Sequence, residues 1–222
     1  MGLFKTLPLP LQSNNMTIYV IGDSHVRVLH ERCPEIFKSS QTDLVEAVFE
    51  SKSAYAIGTE GHDYYLNEKL KNIPDGSYVL LSFGEIDCRH YVPLKAKELN
   101  TTIENRVDEV IERYTTNCVR LLKEKFRVII LGAYTCPEDR IHKNSFEDIL
   151  EAKMLYNNKL KKYCESEGMC FVPIFRKVLE EKWDEKEHGM GHPFNDTSHL
   201  GECMTPIILE AIDGFEWSRF DK

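Results

Sequence analysis

At 222 residues with a 42% hydrophobic share, the chain has room for one sizeable soluble core, and two domains would each be small. Its 28 basic and 36 acidic residues leave a formal charge of −8, the opposite of the basic stripe that a nucleic-acid footprint needs. No apolar run approaches the ~18–20 residues of a membrane span.

The first fifteen residues lack the basic head and long apolar core of a signal peptide, so residues 1–15 are expected to be a tail and 16–222 one domain. Thr17 to Ile21 is a short apolar, β-favouring run that reads as a buried strand. It runs into Gly22-Asp23-Ser24, with His25 next and a short helix after it. In an open parallel sheet such a strand-to-helix corner is where ligands bind. On its own, Asp23-Ser24 is also an ordinary helix N-cap.

Leu44 to Phe49 alternates in the manner of a strand, and Ser53 to Thr59 reads as a small-residue loop carrying Gly58. Residues 62–72 look helical, and Pro74-Asp75-Gly76 signals a turn. Ser77 to Phe83 is a second buried strand, delivering Gly84, Glu85, Asp87 and Arg89 to one tip. There Asp87 and Arg89 form either a ligand-binding group or a plain ion pair. A long helix follows over 103–125, then a strand over 127–133 and an amphipathic helix over 145–166. The lysines of that helix at 159, 161 and 162 read as a solvated face. A last short strand spans 169–173, and a polar loop over 183–195 leads to Asp196-Thr197-Ser198-His199 and a helix around 202–212. The alternation predicts one α/β domain: three α/β/α layers around a mainly parallel sheet of about five strands.

The seven cysteines are odd in number, irregularly spaced and without a C-x-x-C pair, which suits reduced thiols in a cytoplasmic setting. A zinc site from His188, His192, His199 and Cys203 fits none of the usual ligand spacings. No metal or other cofactor is expected.

Gly22-Asp23-Ser24, Gly84-x-x-Asp87 and Asp196-x-x-His199 together resemble the SGNH/GDSL hydrolase superfamily, over essentially the whole chain from residue 16. The resemblance implies a flavodoxin-like sheet, with Ser24 as nucleophile, His199 as base and Asp196 orienting it. That set suits acyl transfer, because an imidazole held by a carboxylate can take the serine proton. The resemblance further implies an oxyanion hole from the Ser24 and Gly58 N–H groups. The asparagine that the family places in Gly-x-Asn-Asp is here Ile86, which has no side-chain donor. Asp23, His25, Glu85, Asp87 and Arg89 are the expected substrate-binding groups. Arg89 is a candidate for the missing donor, or else a structural partner of Asp87 or Glu85. The expected function is a serine esterase acting on small esters, with O-acetyl groups on a carbohydrate foremost. Its alternatives are a degenerate binding protein or an O-acyltransferase. Neither nucleic acid nor membrane is an expected partner.

Overall fold

The structure, a computed structural model, describes residues 18–22, 37–39, 53–59, 70–136, 139, 143–175 and 204–215. Strands β1 (Ile18–Gly22), β2 (Phe37–Ser39), β3 (Tyr78–Ser82), β4 (Arg127–Leu131) and β5 (Cys170–Val172) form one sheet in the order β2-β1-β3-β4-β5. Every neighbouring pair is parallel, with Gly22 opposite Ser82 and Ser82 opposite Leu131. That is the flavodoxin-like order, in which the chain reverses direction across the sheet between β1 and β3.

Strands β1, β3, β4 and β5 are apolar on both sides because both faces are covered. Val79, Leu81, Val128 and Ile130 point into one core, while Leu80, Ile129 and Leu131 point into the other. On the first face lie α1 (Ala54–Ile57), α3 (Ile103–Tyr114) and α5 (Phe146–Glu167), contributing Ala54, Val107, Tyr114, Tyr156 and Leu160. The second face is covered by α6 (Met204–Asp213) through Ile208, Leu209 and Ile212. The expected three-layer domain is thus present.

Several elements differ from expectation. The second strand is Phe37–Ser39, too short and with too few apolar residues to register as a period. The alternating stretch 44–49 lies outside the described residues, as does most of the expected helix over 62–72. Residues 53–59 form a helical turn, not a loop: Ser53 Oγ accepts from Ala56 N at 3.1 Å and caps α1. The expected helix over 103–125 is α3, a π turn at Thr115–Val119 and α4 (Arg120–Lys123) in succession.

The segment after β3 is also helical, as a π turn at Asp87–Tyr91 followed by α2 (Val92–Glu98). Pro93 hides this helix in the sequence. A proline cannot donate to the carbonyl four residues back, which here belongs to Arg89. Asn144 Nδ2 supplies the missing bond, reaching Arg89 O and His90 O at 3.0 Å each.

Candidate functional site

Gly22 and Ser82 are paired in register, so β1 and β3 end side by side where the sheet order reverses. Ligands of open α/β sheets bind outside the strand ends at that point. In sequence, Ser24 follows the end of β1 by two residues. Asp23, Ser24, His25, Asp196 and His199 lie outside the described residues.

From β3 the chain passes through Phe83 and Gly84, whose φ of +107° favours glycine. A Cβ there would stand 2.3 Å from the Tyr156 ring, while Tyr156 Oη donates to Phe83 O at 3.0 Å. The turn at Gly84 is thereby pinned between sheet and α5. It delivers Glu85, Ile86, Asp87 and Arg89 within the next five residues.

Glu85 is buried and shared by two cations. Arg89 Nε donates to its Oε1 at 2.9 Å and Nη2 to its Oε2 at 3.3 Å, while Lys153 Nζ donates to Oε1 at 3.1 Å. Lys153 also donates to Asp139 Oδ1 and Oδ2 at 2.8 and 2.7 Å. Both Lys153 and Asp139 are fully buried. Burial alone would pull the Lys153 ammonium down, but Glu85 and Asp139 overcome it and hold it above its ordinary value. Glu85, Cys136 and Asp139 bring possible metal-ligand atoms within 4.8 Å of one another. Lys153 Nζ already supplies the cation of that cluster, so the donor set does not fit a metal. Burial pushes the Cys88 and Cys136 thiols up, which leaves both as unreactive thiols at neutral pH.

Asp87 takes a different partner. Its Oδ2 accepts from Ala54 N at 2.6 Å and its Oδ1 from Tyr55 N at 3.1 Å, capping α1 from across the fold. The carboxylate is fully buried. Gly58, at the other end of α1, sits against α3: a Cβ would fall 2.6 Å from the Arg113 carbonyl carbon and 2.8 Å from Tyr114 N. The Gly58 N–H, expected to face an oxyanion, donates instead to Ala54 O at 3.1 Å, and its carbonyl accepts from Asn117 Nδ2 at 2.7 Å.

The structure therefore brings Glu85, Asp87 and Arg89 together just past the end of β3, each with protein partners, and ties Gly58, at the far end of α1, to α3. Lys153, Asp139 and Asn144 are the residues that the sequence reading missed. Lys153 had a signal: it lies on the ridge of Ile149, Tyr156 and Leu160, all fully buried, where a charge needs a partner. A cavity of about 330 Å³ adjoins Asp87, walled by Tyr55, Val92 and Val110.

No family profile and no curated protein sequence matches this chain. Solved structures do. An acetylxylan esterase from Geobacillus stearothermophilus, solved as a catalytic mutant, matches with a TM-score of 0.58 at 14% identity, covering 92% of this chain and 96% of that one. A lipase/acylhydrolase from Enterococcus faecalis gives 0.56 at 15% identity over 90% and 96% of the two chains. A member of the lipolytic G-D-S-L family from Veillonella parvula gives 0.52 at 15% identity over 90% and 98%. The chain has the α/β/α fold of the SGNH/GDSL hydrolases.

Proposed function

We propose that the protein is a serine ester hydrolase acting on small ester groups, with O-acetyl groups on a carbohydrate as the leading substrate class. The observation that carries this reading is the reversal point between β1 and β3. Gly22-Asp23-Ser24 runs directly from one strand end, and the Asp87 clamp on α1 stands beyond the other. The likeness to an acetylxylan esterase and an acylhydrolase supports the same chemistry.

Ser24 Oγ attacks the ester carbonyl carbon while the His199 imidazole takes its proton. Asp196 holds the imidazole in the tautomer that can accept it. The carbonyl oxygen becomes an anion, for which the resemblance makes the Ser24 N–H the expected backbone donor. The alcohol leaves with the proton from His199. Water, deprotonated by His199, then attacks the acyl-enzyme and releases the acid with Ser24 restored. Glu85, Arg89 and Asp87 serve this reading as positioning groups, since each is bound to the loops and helices around the site. Water exclusion at the second step would turn the same acyl-enzyme into an acyltransferase.

Labelling with a fluorophosphonate probe tests the reading. Wild type is expected to label covalently at Ser24, and Ser24→Ala to lose the label. A second reading, a binding protein without turnover, is favoured by Ile86, which supplies no side-chain donor where the resemblance expects asparagine. Wild type that stays unlabelled over a long incubation would favour that reading.

A further inference from the structure

Tyr91 closes the π turn that follows β3, and its side chain is 41% exposed. Two neighbours fix where its ring stands. The His90 ring meets it edge-on, with centroids 4.8 Å apart and 80° between the planes. Asn144 Nδ2 holds the Arg89 and His90 carbonyls at 3.0 Å each, which steadies the backbone that carries the ring. A surface ring already held in place gives up little freedom when a ligand covers it. The same ring walls the cavity beside Asp87, together with Val92, Val110 and Lys95.

Lys95 and Glu98 stand one and two turns further along α2, on the face that carries Tyr91. Lys95 Nζ donates to Glu98 Oε2 at 2.6 Å, and both side chains are half-exposed. Each answers the other's charge, so the pair selects no ion. An ammonium has three N–H groups and a carboxylate two oxygens, so both keep hydrogen-bonding capacity for a ligand. The remaining charges of the cavity lining are answered as well: Arg106 pairs with Glu109, and Asp87 with the α1 N–H groups. What this face offers is an apolar ring beside a donor and an acceptor whose charges cancel. A sugar ring has the matching make-up, with C–H groups on one face and hydroxyls that both donate and accept. A hydrocarbon ring would leave the Lys95–Glu98 pair unused. We propose that Tyr91 and the Lys95–Glu98 pair form a subsite for an uncharged pyranose, its C–H face on the Tyr91 ring and its hydroxyls at the pair. Treating that sugar as the carrier of the ester rests on the esterase reading; the subsite itself does not.

Calorimetric titration of the full-length protein with unesterified xylohexaose, cellohexaose and mannohexaose tests the subsite, with benzyl alcohol as the uncharged apolar control. At least one oligosaccharide is expected to bind saturably, tighter than benzyl alcohol, and with an affinity that hardly changes with salt. Tyr91→Ala should weaken that binding about tenfold. Tyr91→Phe, which keeps the ring, should retain it, and Lys95→Met should weaken it severalfold. All three variants should melt near wild type, since the altered side chains are exposed. If no oligosaccharide binds, if benzyl alcohol binds tighter, or if Tyr91→Ala binds like wild type, the assignment is overturned. Because these sugars carry no ester, absent probe labelling with sugar binding intact would sink the esterase reading alone, and the converse this subsite alone.

Discussion

Lys153 carries its charge while fully buried, and its neighbours explain why it can. Two carboxylates and an arginine surround it, so removing the lysine alone would strand Glu85 and Asp139. Breaking a buried pair in this way typically costs about 3–5 kcal/mol. Lys153→Met should lower stability by that amount in urea denaturation, and adding Glu85→Gln and Asp139→Asn should recover part of it. A Lys153→Met protein as stable as wild type would mean that the network is not what holds the two loops. At Ser24 and His199 the expectation concerns rate. Each alanine variant should lose several orders of magnitude in ester turnover, and the double variant should be hardly worse than either single one, because the pair acts as a unit. Additive losses would break the assignment. Turnover should also fall on the acid side as an imidazole near pH ~6.5 takes up a proton.

At the scale of elements, α1 is a turn too short to persist alone, and it is held at both ends by distant partners. Asp87 caps its start, and Asn117, in the π turn after α3, bonds the Gly58 carbonyl at its end. Asp87→Ala would leave the buried Ala54 N–H and the part-buried Tyr55 N–H without this acceptor, a loss of about 3 kcal/mol for bonds to a charged group. Gly58→Ala would force a Cβ into the α3 backbone, which cannot rotate away as a side chain can, at roughly 1–3 kcal/mol. Both variants should show lower melting temperatures. Increased proteolytic cleavage within 53–59 before global unfolding would locate the damage at α1, and its absence would argue that α1 is held by packing alone. The π turn at Asp87–Tyr91 belongs to the same device: it aims Asp87 toward α1 while Glu85 and Arg89 face the lysine network.

Across the whole molecule, buried protons set the response to alkaline pH. Burial pushes the Cys118, Cys164 and Cys170 thiols up to about 12, whereas an unfolded chain releases such protons near pH ~8.5. The folded state therefore holds more protons than the unfolded one between those values. Stability that is complete below pH ~8.5 is then lost as pH rises, at up to ~1.4 kcal/mol per pH unit for each thiol. Lys153 and Tyr156, both raised above their ordinary values, add losses of the same sign above pH ~10. Denaturation midpoints should be level between pH 6.5 and 8 and fall steeply from pH ~9. A midpoint unchanged to pH 10.5 would contradict the buried state of these thiols. Among the described residues no helix is long and apolar enough to cross a membrane.

Local periodicity was enough to find β1, β3, β4 and β5, because strands buried on both faces are nearly continuous apolar runs. It also sufficed for α5, where Ser145 caps the start and Gly168, at φ 68°, ends it. Glu85, Asp87 and Arg89 could be picked out as site candidates from their position just past a buried strand, whereas the roles given to Gly58, Ser24, Asp196 and His199 rest on the family resemblance of their motifs. What periodicity could not supply is the choice of partners. Asp87 binds N–H groups more than thirty residues away, and Lys153 reaches Glu85 across 68 residues. The helix at 85–98 was hidden because the acceptor stranded by Pro93 is satisfied by Asn144, which follows β4. Burial repeats along the chain and is therefore local information. The pairing of buried charges and stranded backbone groups depends on which segments the packed sheet brings together, and only the tertiary structure decides it.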